Sequence, residues 1–212
     1  MKKRIVFALL ALVMLLSLVS CGQDEKQTAT KEVATKEAAT KEAAADKGES
    51  TQKNGAKDAA DVINKAWEKY DGEKFPVGSI NAQEEPVDGK AVNFDVKKVE
   101  TATSLLHVSE EALGKVQEVA FMMNMMNQNQ FTVASYRVKS ADAEGLVSSL
   151  KESIKGTQWM CGFPDVLVIY TVNGEYVVAA FGNTQAIDGF EKGLTDAFGN
   201  NAVLKVDESL TA

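Results

Sequence analysis

Four of the chain's seven methionines, Met122, Met123, Met125 and Met126, fall within five consecutive positions of FMMNMMNQNQ, residues 121–130. Thioethers are soft, polarizable donors, and three of them converging on one point would suit monovalent copper. The backbone decides whether they converge. In a strand, successive side chains alternate between faces. Phe121, Met123 and Met125 would then share one side and Met122, Asn124 and Met126 the other, so neither side offers more than two sulfurs. If a helix runs through the segment, Met122, Met125 and Met126 lie together and form a soft-metal site. No other Met, His or Cys stands within reach in sequence, Met160-Cys161 being distant and His107 upstream, which favours methionine as adaptable core filler and no cofactor. The copper site is the alternative.

The second reactive group is a cysteine near the start. Met1-Lys2-Lys3-Arg4 is basic, Ile5 to Leu16 is unbroken apolar sequence, and Ser17-Leu18-Val19-Ser20 precedes Cys21. The apolar run is too short to cross a ~30 Å hydrocarbon core as a mature helix, and small residues follow it, which is the pattern of a signal peptide over residues 1–20. The tetrad Leu18-Val19-Ser20-Cys21 resembles the lipobox of bacterial lipoproteins. The resemblance implies that Cys21 becomes the lipid-modified N-terminus, held by two acyl chains where one would anchor only marginally. The expected location is the outer face of the cytoplasmic membrane, with membrane lipid as the first partner.

With Cys21 acylated, Cys161 has no second thiol in its own chain to pair with. It lies in TQWMCGF with no histidine nearby in sequence, and reads as a small buried or half-buried residue rather than a nucleophile. His107, the single histidine, stands in SLLHVSEE without an identifiable catalytic partner. Nucleophile elbows, zinc spacings, phosphate loops and EF-hand loops are missing. Glu84-Glu85 and Asp188 read as solvated carboxylates, and no catalytic residue is assigned. The formal charge is -7, and removing residues 1–20 takes away Lys2, Lys3 and Arg4 but no acid. An acidic chain without a basic stripe is no partner for nucleic acid.

These groups must be positioned by the elements around them. Residues 21–55 contain Ala-Thr-Lys-Glu repeats at a period of five, which precess around a helix by roughly 140° and form no apolar stripe. The segment reads as a semi-rigid spacer. A single globular domain is expected over residues 56–212. AKDAADVINKAWEKY has Ala59, Val62, Ile63, Ala66, Trp67 and Tyr70 at helical spacing, and the Pro- and Gly-bearing stretch after it reads as extended loop. Ser109 caps a helix through SEEALGKVQEVA. QFTVASYRV is a strand, Ser140 caps the helix of ADAEGLVSSLKESIK, and DVLVIYTV and EYVVAAFG form a hairpin about Asn173-Gly174, where both turn residues need positive φ. Ile187, Phe190, Leu194 and Phe198 define a last helix that stops at Gly199. The expected fold is α+β: a four-stranded antiparallel sheet built from two strand-strand-helix units, with helices packed on it, preceded by an N-terminal helix.

The run LHVSEEALGKVQEVAFMMNMMNQNQFTVASYRVKSADAEGLVSSLKESI, followed by VIYTVNGEYVVAAFG, resembles a family of small lipoproteins of Gram-positive bacteria that carries only the designation of a domain of unknown function. The family implies a membrane lipoprotein but no activity, cofactor or catalytic residue. This chain has Asn129-Gln130 where members tend to carry an acidic pair. The functional expectation is a lipid-anchored, non-enzymatic binding module facing a cell-envelope protein or wall component. Its binding surface is expected on GTQWMCGFPD, where Trp159, Met160 and Phe163 act either as exposed anchors or as core plugs.

Overall fold

The computed structural model describes residues 55–211. The signal peptide, Cys21 and nearly all of the repeat spacer lie outside the described residues.

The first element is the helix α1 (Ala59–Glu68), started by Asp58, whose carboxylate accepts the Asp61 N–H at 2.8 Å. Its apolar side chains Val62, Ile63, Ala66 and Trp67 are buried. The stretch expected to be loop, residues 71–91, instead contributes two short strands, β1 (Val77–Ile80) and β2 (Pro86–Asp88), and a third, β3 (Val92–Phe94), follows directly after it. Asn81 turns the chain between β1 and β2 by accepting the N–H groups of Gln83 and Glu85 at 2.9 and 3.0 Å. The helix α2 (Val99–Leu106) ends on His107 in the left-handed region, φ 52°.

Ser109 does cap α3, accepting the Ala112 N–H at 3.2 Å, but α3 covers only Glu110–Leu113. The Gln117 N–H is taken by the Arg137 carbonyl at 2.8 Å, which draws the chain into the strand β4 (Glu118–Asn124) before a second turn of helix can form. After β5 (Phe131–Arg137), Ser140 opens a 3-10 turn and makes no side-chain cap, so α4 (Ala143–Lys155) begins from that turn. The strands β6 (Val166–Val172) and β7 (Tyr176–Gly182) are joined at Asn173 and Gly174, with φ of 53° and 74°. The helix α5 (Thr184–Phe198) is capped by Asn183 and stopped at Gly199, φ 55°. A last strand, β8 (Ala202–Ser209), follows.

The expectation of a four-stranded sheet made of two strand-strand-helix units is therefore corrected. Among the described residues one eight-stranded antiparallel sheet runs in the order β2-β1-β4-β5-β7-β6-β8, with β3 paired to β4. β4 accommodates two neighbours on one side because β3 pairs with its first half, Val119 to Phe121, and β1 with its last residues, Met123 and Asn124.

Helices cover both faces. α1 and α5 pack on Ala120, Met122, Val133, Val168, Val178 and Ala180, while α2, α3 and α4 pack on Val119, Phe121, Ala134, Leu167, Ile169 and Val177. A central strand buried on both sides needs apolar residues at every position, which accounts for the unbroken YVVAAFG. α1 and α5 approach closely: a Cβ placed on Gly193 would lie 3.0 Å from the Tyr70 nitrogen and closer still to the Ala66 carbonyl oxygen.

The two ends of the sheet differ in chemistry. At the start of β4, Arg137 bridges Glu118 and Glu175 at 3.0 and 3.3 Å, and Glu118 also accepts the Ala59 N–H at 3.3 Å, fixing the beginning of α1 to that end. At the finish of β4 lie the 125–130 turn and the 156–165 loop.

Candidate functional site

Asparagines build this second end. The Asn124 side-chain oxygen accepts the N–H groups of Met126 and Asn127 at 2.8 and 3.2 Å, and the Asn127 oxygen accepts that of Asn129 at 3.0 Å. Asn129 is buried, and its Nδ2 donates to the carbonyls of Met160 and Gly162 at 2.9 and 3.0 Å. Asn127 Nδ2 reaches the Cys161 carbonyl at 3.4 Å. The two loops are thereby latched together although they lie some thirty residues apart in sequence.

The latch holds apolar side chains out into solvent. Met126 is 86% exposed, Met160 77%, Phe163 67% and Met125 54%. A folded surface carries isolated apolar residues without consequence, but a group of large ones held on adjoining loops marks an interaction site. Cys161 is exposed at the same tip, with φ 63°.

The three aromatic-loop residues expected to bind divide into two kinds. Trp159 is half-buried with its ring 5.2 Å from Phe181 and 4.8 Å from His107. It plugs the core and fixes the root of the loop, while Met160 and Phe163 point outward. Burial depresses the His107 pKa, so the ring is neutral near pH 7 and serves as an aromatic wall.

Beside the latch lies an open groove of about 290 Å³ lined by Gly78, Ile80, Pro86, Met123 and Met125, with Asp88 at its margin. Gly78 stands opposite Met123 in the β1–β4 register, so both face the α2–α4 side of the sheet. Met125 folds over Gly78, with its sulfur 3.4 Å from the place a Cβ there would occupy.

The sulfurs considered for copper are not brought together. Met122 is fully buried against α1 and α5, whereas Met125 covers Gly78 on the other side of the sheet and Met126 stands in solvent. β4 is strand at residue 122, which removes the helical convergence that the site required. Among the described residues no three His, Cys, Asp or Glu side chains are grouped to hold a metal ion.

One further polar pair is half-buried. Tyr170 donates to Glu191 at 2.6 Å; burial, ahead of the other causes, raises the pKa of both groups. It joins β6 to α5 and lines none of the grooves described.

No family model matches the chain, and neither the curated proteins nor the solved structures hold a match to it. The site thus rests on its own chemistry. Sequence reasoning found Met160 and Phe163 but missed Gly78, Asp88 and the latching asparagines. The available signal was the asparagine density of MNMMNQNQ, since asparagine bonds turn backbone through its side chain.

Proposed function

We propose that the protein is a membrane-anchored, extracytoplasmic lipoprotein whose folded domain is a non-enzymatic binding module. Anchoring is supported by the Leu18-Val19-Ser20-Cys21 tetrad behind the apolar run Ile5 to Leu16, which places an acylated Cys21 at the start of the mature chain. Binding is supported by one observation above the others: Met125, Met126, Met160 and Phe163 are held in solvent by loops whose backbone is fixed by buried asparagine. Preorganised loops bind without losing much conformational freedom. The partner class is a protein of the cell envelope or a wall component.

The anchoring half is tested by mass spectrometry of the N-terminal peptide from protein isolated from bacterial membranes. A diacylglyceryl adduct on Cys21 is expected, and an unmodified Cys21 rejects the reading. The binding half is tested by capture from envelope extract with wild-type and Phe163→Asp baits. A partner retained equally by both rejects the loop tip as the surface.

A further inference from the structure

The groove and the loop tip share an electrostatic property. They are built from residues 77–88, 119–130 and 156–165, and these three segments carry Glu84, Glu85, Asp88 and Asp165 but no lysine or arginine. Glu84 is answered by Lys98 of α2 at 3.0 Å. Glu85, Asp88 and Asp165 form no ion pair among the described residues. Asp165 accepts the Thr184 N–H at 3.1 Å and Glu85 the Asn81 amide at 3.2 Å, which leaves Asp88 as the carboxylate lining the groove; an apolar groove lined by a carboxylate and by no cation is complementary to a polypeptide with one apolar and one basic face.

The apolar part fits the same partner. Met123 and Met125 line the groove, and unbranched thioether side chains repack around differing aliphatic shapes. The floor is Gly78, where a side chain would meet both Met125 and the Val87 carbonyl, at 3.3 Å each. A volume of about 290 Å³ lies at the lower bound of small-molecule pockets and suits side chains inserted from a longer ligand. A lipid surface is the poorer match, because anionic headgroups repel this rim.

We propose that the methionine-lined groove of β1 and β4, together with the tip of the latched loops, receives a cationic amphipathic segment of another protein. The segment's apolar face covers Met123, Met125, Met126 and Phe163, and its basic residues meet Asp88 and the neighbouring Glu85. This rests on the reading of the domain as a binding module and names the chemistry of its partner.

The test is calorimetric titration of the mature chain, residues 21–212, with a synthetic Lys/Leu amphipathic helical peptide and a Glu/Leu peptide of the same pattern. The Lys/Leu peptide is expected to bind one to one and to weaken with added salt, while the Glu/Leu peptide does not bind. Met126→Asp and Asp88→Lys are each expected to weaken binding about tenfold, with unchanged circular dichroism. Glu152→Lys, on α4, is expected to leave binding unchanged. Equal binding of both peptides, insensitivity to Asp88→Lys, an equal loss with Glu152→Lys, or binding of the non-acylated chain to phosphatidylglycerol vesicles in preference to the peptide would each overturn the proposal. The Cys21 adduct reports independently. An acylated chain that ignores the Lys/Leu peptide defeats the docking proposal alone, and a bare Cys21 on a chain that binds it defeats the anchoring alone.

Discussion

The side-chain amide of Asn129 donates to the main-chain carbonyl of Met160 at 2.9 Å. It makes a second bond to Gly162 at 3.0 Å, so one buried side chain holds two carbonyls of a loop that has little secondary structure of its own.

Asn129→Ala removes both donors and leaves the two carbonyls to find other partners. A loss of about 1–3 kcal/mol is expected in denaturant unfolding, two hydrogen bonds at about 0.5–1.5 kcal/mol each. Amide exchange in residues 158–163 should quicken more than in β5. Asn129→Asp, whose carboxylate cannot donate, should behave like the alanine variant rather than the wild type.

Two glycine-to-alanine changes should have opposite signs. At Gly193 the new methyl meets α1 backbone that cannot move aside, and overpacking of this kind costs about 1–3 kcal/mol. At Gly145 of α4 nothing lies within 4 Å of the added Cβ, so alanine gains about 0.5–1 kcal/mol through helix propensity and a less free unfolded chain. Paired thermal melts would show Tm falling for Gly193→Ala and rising for Gly145→Ala.

The neutral His107 predicts a loss of stability on mild acidification. Its folded pKa lies below the unfolded value near 6.5 because burial disfavours the cation. The unfolded chain therefore binds the proton first, and stability falls as pH drops below about 6.5 until the folded pKa is reached. The measurement is urea unfolding between pH 7 and 5, in which His107→Asn, a residue that tolerates the left-handed backbone, should show a shallower decline than wild type.

A second acid-side effect has the carboxylate sign. Hydrogen bonds from Lys151 and then Lys155 push the Glu208 pKa down to about 2, below its ordinary 4.5. Its contribution is complete above pH 4.5 and disappears as pH falls from there toward 2. Glu208→Gln should flatten the pH dependence of unfolding in that window and leave the His107 window unchanged, and exchange protection of β8 should decline with it.

Legibility in the sequence followed the range of the interactions. α1, α5 and the Asn173-Gly174 hairpin were readable because capping residues, helical spacing and positive-φ turn residues act within a few positions. β1, β2 and β3 were not, being three or four residues long and set among proline, glycine and acids; only pairing of β1 and β3 along β4, and of β2 along β1, makes them strands. The end of α3 was misplaced because Gln117 answers to Arg137, twenty residues on. β8, which alternates apolar and charged residues, was absorbed into the tail, and its place at the sheet edge depends on β6. For the site, Met160 and Phe163 could be singled out in advance as aromatic and thioether residues in a loop, but not whether they plug the core or face solvent, which depends on how Asn129 latches the loop. The groove could not, because Gly78 and Met123 become neighbours only through register.

The attachment of α1 beside Glu118 gives the domain a direction. The first turn of α1 lies at the pole where Arg137 bridges its two acids, while Met126 and Phe163 crown the other pole, about 20 Å away along the seven residues of β4. The acid-bridged pole and the apolar tip thus lie at opposite ends of the strands, so a ligand seated on Met126 and Phe163 leaves the start of α1 uncovered.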